Sequence, residues 1–355
     1  MNRLSFQGID NLGFQSFMLF QSRFAFCCLV FFAFVPGANA QSDTCWQQHR
    51  ATVYEWTCAS QSLPAEGQDF ALSIVVVDSP KALMVIDSGA TAAVGESAAA
   101  AIRSKFGAKP VWVLNTQPKP EHVLGNVGFK SAFSSTLTPG ETFERRLVAG
   151  KRTADLMRER CPTCIDNFSE RMGSDSVKGT ESIVPERILR NRKGHLASLH
   201  GDWFAWKYRL YNDLETEEAL VLRNRDLKVW WVGSAVQNRD IPDLYDGNVI
   251  ERINFLGRVK TTMAADDTLL TSFGALGADW VERNLNYFVR IHQEVLYGLE
   301  AGVSEVELIE QISARIDEFK NPVYVQTDPK VNAKALEVHQ LNIQRIFRQT
   351  EPFAF

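Results

Sequence analysis

The sequence has no excess of positive charge and none of the short glycine motifs that bind nucleotides. Its 38 lysine and arginine residues are outnumbered by 42 aspartate and glutamate residues, which gives a formal net charge of −4. This balance provides no general attraction for nucleic acid or for an anionic membrane surface. The G-x-S-x-G, P-loop and dinucleotide-binding patterns are all absent. Nucleotide-dependent chemistry and a serine nucleophile elbow therefore have no support in the sequence.

Long hydrophobic runs are also absent. Residues 24–35 (FAFCCLVFFAFV) form a 12-residue apolar run, whereas a membrane-spanning helix needs about 20 such residues. Arg23 precedes the run and the A-x-A sequence 38–40 follows it, as in a secretory signal. We expect residues 1–40 to be a signal peptide, starting at Met1 or Met18 and cleaved near Ala40. The mature protein is then periplasmic or secreted, without a stable membrane anchor.

Cysteine is scarce, and two of the six cysteines lie within the predicted signal peptide. The mature chain keeps Cys45, Cys58, Cys161 and Cys164, an even number that favours disulfides in an oxidising compartment. Of the three possible pairings, we expect Cys45–Cys58 with Cys161–Cys164, because both bridges close only local loops. A redox dithiol or half of a zinc site remains the alternative for the second pair.

The first half of the mature chain has the pattern of a β-hairpin followed by a βαβ crossover. Residues 70–77 (FALSIVVV) and 82–86 (ALMVI) are predicted to be buried strands joined by a turn. Residues 92–106 are alanine-rich with apolar residues at helical spacing, and 110–114 (PVWVL) form the next predicted strand. The charged segment 141–171 is predicted to be an inserted helical region.

The second half predicts another sheet followed by helices. The predicted strands are 204–210, 219–222, 229–232 and 268–271, and the predicted helices are 249–259, 280–299, 303–319 and 328–348. Four tryptophans at strand spacing are expected to lie in the core rather than on a recognition surface: Trp203, Trp206, Trp230 and Trp231. We therefore expect one mature domain, 41–355, built from two sheets flanked by helices, with C-terminal helices over about 280–350.

Ordered motifs in the first half are similar to those of a known superfamily. Residues 85–90 (VIDSGA), 113–122 (VLNTQPKPEH) and 125–126 (GN) match, in order and spacing, the I-D-T-G turn, N-T-H-x-H-x-D-H loop and G-N pair of metallo-β-lactamase-fold hydrolases. Residues 232–236 (VGSAV) resemble the end of a later strand in that superfamily. The resemblance implies an α/β (α+β) fold, a four-layer αββα sandwich, over roughly residues 70–350.

Looser features resemble one branch, the quinoprotein relay system zinc metallohydrolases. These features are the cysteine-bearing helix, the Gly-Thr-Glu step at 179–181 and the closing segment 339–345 (HQLNIQR). The resemblance implies a periplasmic protein that acts beside components of quinoprotein (PQQ) dehydrogenases. Composition and spacing do not themselves indicate this partner.

Most of the metal ligands expected from the resemblance are replaced. Histidine and carboxylate ligands normally hold zinc, which acidifies a bound water. The ligand positions of the loop here hold Gln117, Lys119, Glu121 and His122, and the later ones hold Leu214, Ser234 and Gly274. A lysine ammonium has no lone pair to donate to a metal. Glu121 and His122 remain as residual ligands, and Asp87 is expected to support the loop.

These replacements predict a protein without zinc and without catalytic residues, acting in an accessory or binding role. One alternative is a metallohydrolase with an altered site that holds zinc and cleaves an ester, thioester or lactam. A second is a metal-free hydrolase that uses Lys119, Glu121, His122 and Ser234. A third is an oxidoreductase or sulfur carrier that uses Cys161 and Cys164, which requires a thiol of low pKa.

Overall fold

The computed structural model describes residues 43–320 and 329–353, so the predicted signal peptide 1–40 lies outside the described residues. The described residues form two sheets packed face to face. The first sheet, in spatial order β1 to β7, contains β1 (Trp46–Arg50), β2 (Val53–Trp56), β3 (Ile74–Asp78), β4 (Leu83–Ile86), β5 (Val111–Leu114), β6 (Leu147–Gly150) and β7 (Arg187–Leu189). The second, in the order β13-β12-β11-β10-β9-β8, contains β8 (Lys193–His195), β9 (Trp206–Tyr211), β10 (Ala219–Asn224), β11 (Val229–Trp231), β12 (Thr268–Thr271) and β13 (Gly274–Leu276).

Helices cover the outer face of each sheet. They are α1 (Ala92–Phe106), α2 (Pro120–Val123), α3 (Asn126–Phe133), α4 (Lys151–Met172), α5 (Val249–Thr262), α6 (Ala278–Glu300), α7 (Glu305–Ser313) and α8 (Pro329–Thr350). Within the two described ranges, none of the helices is both long enough and apolar enough to cross a membrane.

The predicted hairpin and βαβ crossover are confirmed. β3 and β4 pair antiparallel, and β4 and β5 pair parallel after the α1 crossover. Helix α1 begins where the Thr91 side chain accepts a hydrogen bond from Val94 N, and it ends before Gly107, whose φ of 78° favours glycine. The alanine-rich sequence of this helix lets it lie close to the sheet.

Successive side chains of the central strands point to opposite faces of the sheet, and both faces are buried, which produces the four layers. Ile74 and Val76 of β3 face the layer of α1, α3 and α4, whereas Val75 and Val77 face the second sheet. The second sheet buries its other face under α5, α6, α7 and α8. The αββα architecture expected from the resemblance is therefore present.

The tryptophans belong to the core, as predicted. Trp203, Trp206 and Trp231 pack between the sheets, and Trp230 packs under the helices of the second sheet. All four are less than 10% exposed. They stabilise the sandwich, and Trp230 also contributes to the lining of a groove on the second sheet.

The predicted helical region 141–171 is partly wrong. Residues Leu147–Gly150 form strand β6, which pairs parallel with both β5 and β7, and the helix α4 begins only at Lys151. All four residues of β6 are buried. A short parallel strand that is buried on both faces has no alternation of polar and apolar residues, so its sequence lacks the pattern of a strand.

One of the two expected disulfides is confirmed and the other is wrong. Cys45 and Cys58 are bonded, whereas Cys161 and Cys164 are free thiols. The free pair lies within α4, one helical turn apart. A helical backbone holds side-chain directions that need not suit the narrow geometry of a disulfide.

The close contact between the loop after β4 and the turn before α3 provides a test of the packing. A β-carbon added at Gly125 would lie 1.9 Å from the Ser88 carbonyl oxygen, whereas Gly257 in α5 has no atom within 4 Å of such a carbon. We expect G125A to lower the free energy of unfolding by about 3 kcal/mol through overpacking. The matched variant G257A should raise it by about 1 kcal/mol through helix propensity. Urea denaturation measures both, and similar values for the two would contradict the packing described here.

Candidate functional site

The site lies where loops leave the carboxyl ends of parallel strands in both sheets. Asp87 follows β4 and Gln117 follows β5, and these two strands are parallel neighbours. Ser234 follows β11 and Ser272 follows β12, which are also parallel neighbours. Carboxyl ends of neighbouring parallel strands meet at one edge of a sheet, which is the usual position of a ligand site in open α/β sheets.

Asp87 lies in the loop after β4 and connects it to the loop after β5 and to helix α2. Its carboxylate accepts hydrogen bonds from Thr116 N (2.8 Å), Thr116 Oγ1 (2.8 Å) and His122 Nδ1 (2.7 Å). The residue is buried and has a φ of 62°, a region that non-glycine residues rarely adopt. Asp87 was predicted to support the loop, and its hydrogen bonds run to Thr116 and His122; Thr116 is a partner that sequence reasoning missed.

The side chain of Gln117 fills the space next to His122. Its Nε2 lies 2.8 Å from His122 Nε2 and 3.4 Å from Ser234 Oγ. Ser234 Oγ in turn lies 3.3 Å from Ser272 Oγ. The side chains at positions 117, 122 and 234 therefore converge, but they do so through hydrogen bonds with one another.

The protonation of His122 follows from its surroundings. Burial is the largest single effect and disfavours the charged ring, but the carboxylates of Asp87, Glu121 and Glu215 together raise the pKa of His122 above its ordinary value. In the observed orientation the Gln117 amide donates to a neutral His122 Nε2; turned by 180°, its Oε1 would accept from a charged one. In either orientation the hydrogen bond occupies Nε2.

Glu215 is a buried carboxylate that fixes the turn carrying Ser234. It accepts a hydrogen bond from Ser234 N at 2.9 Å, and Gly233 adopts a φ of 60° against it. The neighbouring Leu214, which stands where the resemblance places a histidine, is fully buried in the core beneath α5 and α6. Sequence reasoning named Leu214 and missed Glu215, although the two residues are adjacent.

Lys119 is held by an aromatic ring and by negative charge. Its Nζ lies 3.2 Å from the centroid of the Tyr245 ring, a cation–π contact. Burial lowers the pKa of Lys119, and the carboxylates of Glu121, Glu215 and Asp243 oppose that shift. An ammonium group at this position repels a cation. It also gives the loop a positive charge that these carboxylates balance.

The two predicted residual metal ligands do not form a pair. His122 is fully buried and bonded at both ring nitrogens, whereas Glu121 is partly exposed and has no hydrogen bond to His122 in the described part of the chain. The charge of Glu121 acts at a distance, on the pKa values of Lys119, His122 and Cys164.

Gly274 lies away from these residues. A β-carbon at Gly274 would point at Glu55 Oε1, at 3.1 Å, and its φ of 103° suits glycine. The residue that meets Ser234 from this loop is Ser272, two positions earlier. The order of motifs located the loop but not the residue that faces the site, since a turn of uncertain length separates them.

These residues do not fit a zinc centre. Structural and catalytic zinc sites need three or four nitrogen, sulfur or oxygen ligands. Gln117 and Ser234 are neutral polar groups and Lys119 is a cation, which leaves His122 as the one imidazole at the point of convergence. Over residues 43–320 and 329–353, no group of three or more histidine, cysteine, aspartate or glutamate side chains is placed to hold a metal ion.

Comparison with known proteins gives matches at the level of structure alone. No protein-family model matches the sequence, and no curated protein matches it either. A β-lactamase domain protein from Burkholderia ambifaria is 17% identical, with a TM-score of 0.55 over 88% of this chain and 90% of its own. The chain has the metallo-β-lactamase fold.

Two further solved structures share the metallo-β-lactamase fold with this chain. The sec-alkylsulfatase Pisa1 from a Pseudomonas species is 11% identical, with a TM-score of 0.58 over 87% of this chain and 50% of its own. A metallo-β-lactamase from Erythrobacter litoralis is 14% identical, with a TM-score of 0.50 over 69% of this chain and 96% of its own. Identities this low show the fold alone, so the chemistry of the site depends on its own residues.

The carboxylate of Asp87 provides the test of this network. D87N keeps the size of the side chain but replaces one acceptor with a donor that faces other donors. We expect it to lower the free energy of unfolding by about 3 kcal/mol, because a buried charged acceptor is lost. The exposed Asp166 on α4 offers a matched control, and D166N should change stability by less than about 0.5 kcal/mol. Equal effects in urea denaturation at pH 7 would refute the role given to Asp87.

Proposed function

We propose that this metallo-β-lactamase-fold protein has exchanged metal-dependent hydrolysis for a non-catalytic accessory or binding role. The observation that carries the proposal is the hydrogen bond between Gln117 Nε2 and His122 Nε2. A metal ligand must offer a free lone pair. The remaining imidazole of the site uses that position for the amide.

The burial of the site supports the same proposal. Gln117, His122 and Ser234 are each at most 3% exposed. A hydrolase must bring a substrate and a water molecule into contact with its reacting groups, and these side chains are covered by their neighbours. The metal-free hydrolase that would use Lys119, Glu121, His122 and Ser234 has the same difficulty, since Lys119 is directed at the Tyr245 ring.

We further propose that the protein is exported and acts beside components of quinoprotein (PQQ) dehydrogenases. The Cys45–Cys58 disulfide supports an oxidising compartment, because such bonds are rare where thiols are kept reduced. The signal-like segment 1–40 would direct the chain to export. The partner rests on the resemblance of the closing segment 339–345 and of the cysteine-bearing helix to the quinoprotein relay branch.

Metal content tests the proposal. The mature chain from Gln41, offered zinc and then dialysed, should retain close to none by elemental analysis. The variant Q117H/S234D should bind zinc near one per chain, because it places two new ligands beside His122. A matched control, Q47H/S198D, adds the same residue types at exposed positions and should not gain a site.

The outcomes of the zinc measurement test the proposal and the geometry of the site separately. Near-stoichiometric zinc in the unaltered chain would overturn the proposal and restore the metallohydrolase alternative. No zinc in Q117H/S234D would show that positions 117, 122 and 234 do not converge on one point. Equal zinc in the surface control would show that the added histidine and aspartate bind metal without the geometry of the fold.

A second candidate function uses the dithiol of α4. Cys161 is buried and Cys164 is partly exposed, and both are free. A hydrogen bond from Cys161 lowers the pKa of the Cys164 thiol to about 7, against the opposing effects of burial and of the Glu121 charge. A partly exposed thiolate of this kind is the group that a thiol oxidoreductase or a sulfur carrier requires.

Alkylation kinetics test the dithiol. After mild reduction, the rate at which iodoacetamide modifies Cys164 should rise with pH around a midpoint near 7. In C161A the hydrogen bond is lost, so the midpoint should move up toward the ordinary thiol value of about 8.5. A midpoint that C161A leaves unchanged would contradict the assigned cause. A midpoint above about 8 in the unaltered protein would remove the support for this candidate.

A further inference from the structure

The outer face of the second sheet carries a groove that the helices leave open. Strands β8, β9 and β10 and helix α5 line a cavity of about 610 Å³. It continues into a second cavity of about 540 Å³ through shared residues, among them Arg209 and Arg258. None of the lining residues belongs to the site around His122. The groove is therefore a separate feature of the fold.

The groove is strongly basic in a protein that is acidic as a whole. Six cationic side chains line the larger cavity: Lys193, Lys207, Arg209, Arg223, Arg225 and Arg258. No acidic residue is among the described residues that line it, and Glu251 lines the smaller cavity. Of the six, Arg223 approaches a carboxylate, that of Asp267 at 3.8 Å. The other five form no ion pair with the described part of the chain.

The sheet register places like charges directly opposite one another. Lys193 of β8 is the register partner of Arg209 of β9, and Lys207 of β9 is the partner of Arg223 of β10. Directly opposed like charges on one face of a sheet are destabilising. The fold itself gains nothing from these two pairs, whereas an anion bound between the strands would relieve their repulsion.

Two guanidinium groups also meet over one aromatic ring. Arg209 and Arg258 lie 5.6 Å and 5.5 Å from the centroid of the Tyr211 ring. The guanidinium of Arg223 lies 4.1 Å from the Trp230 ring. Aromatic contacts hold these groups in place, and a planar guanidinium can bind a carboxylate through two parallel hydrogen bonds. Arg209 and Arg258 are exposed, so their guanidinium groups are accessible to a carboxylate of another molecule.

The same contacts favour an acidic peptide over a nucleic acid. Bases stack on open aromatic faces, but arginines already cover the rings of Tyr211 and Trp230. Arginine, tyrosine and tryptophan are the residue types that dominate protein–protein binding energy.

We infer that this groove, the basic trough of β8, β9, β10 and α5, binds an acidic, extended segment of a partner protein. Its carboxylates lie between the opposed cations of the strands and on the guanidinium groups that flank Tyr211. The inference goes beyond the accessory role proposed above and does not depend on the absence of zinc, since the trough and the site share no residue.

Fluorescence anisotropy with labelled decaglutamate tests the inference on the whole mature chain. We expect binding that weakens with salt, and a Kd at least about tenfold higher for R209E/R258E, because charge-assisted contacts are lost. The control R152E/K178E makes the same change of charge at exposed positions outside the trough. Its Kd should stay within about twofold of the unaltered protein.

Stability measurements separate binding from structure. R209E places a carboxylate opposite Lys193, so R209E/R258E should unfold at an equal or higher urea concentration than the unaltered protein while losing the peptide. A clear loss of stability would show that the arginines serve the fold, and would overturn the inference.

Three binding outcomes would also overturn it. One is no binding of decaglutamate at low salt. Another is an equal loss of affinity in both charge-reversal variants, which would mean attraction by net charge alone. The third is tighter binding of decathymidylate than of decaglutamate through the same two arginines, which would assign the trough to nucleic acid.

Discussion

The carboxylate of Asp87 is the constraint on which the site depends. It stands at the end of β4 in a left-handed backbone conformation and ties together the loop after β5 and the ring of His122. A non-glycine residue remains in that conformation only where the surroundings favour it. Three hydrogen bonds to one buried carboxylate provide that support, and they set the direction in which His122 presents Nε2.

What His122 meets in that direction determines the chemistry. An amide from Gln117, a hydroxyl from Ser234 and a second hydroxyl from Ser272 form a chain of hydrogen bonds where a metal centre needs lone pairs. Hydrogen-bonded polar groups can be buried at little loss of stability, but Gln117 Oε1 is buried without a hydrogen-bond partner among the described residues. This chain of hydrogen bonds links the loop after β5 in the first sheet to the loops after β11 and β12 in the second.

The sequence predicted the fold better than the site. The order and spacing of the motifs around Asp87 and His122 predicted the αββα architecture, because these motifs lie at turns and strand ends whose spacing the fold fixes. Strand β6 was missed since all four of its residues are buried. Ser272 was missed in favour of Gly274 because the resemblance locates a loop, whereas the backbone torsions decide which side chain turns inward. The thiols of Cys161 and Cys164 depend on helix geometry, which cysteine spacing does not convey.

Two features each destabilise the fold when considered alone: the backbone conformation of Asp87 and the opposed cations of the second sheet. They differ in the interactions that offset this destabilisation. The strained backbone of Asp87 is compensated inside the protein, by Thr116 and His122. Among the opposed cations of β8, β9 and β10, Arg223 approaches the Asp267 carboxylate, whereas Lys193, Lys207 and Arg209 form no ion pair within the described residues. Electrostatic repulsion that the described chain does not offset favours the binding of an anionic partner. The side chains around His122 are buried, whereas the basic trough lies on an open face of the second sheet, and the binding function that we infer is placed there.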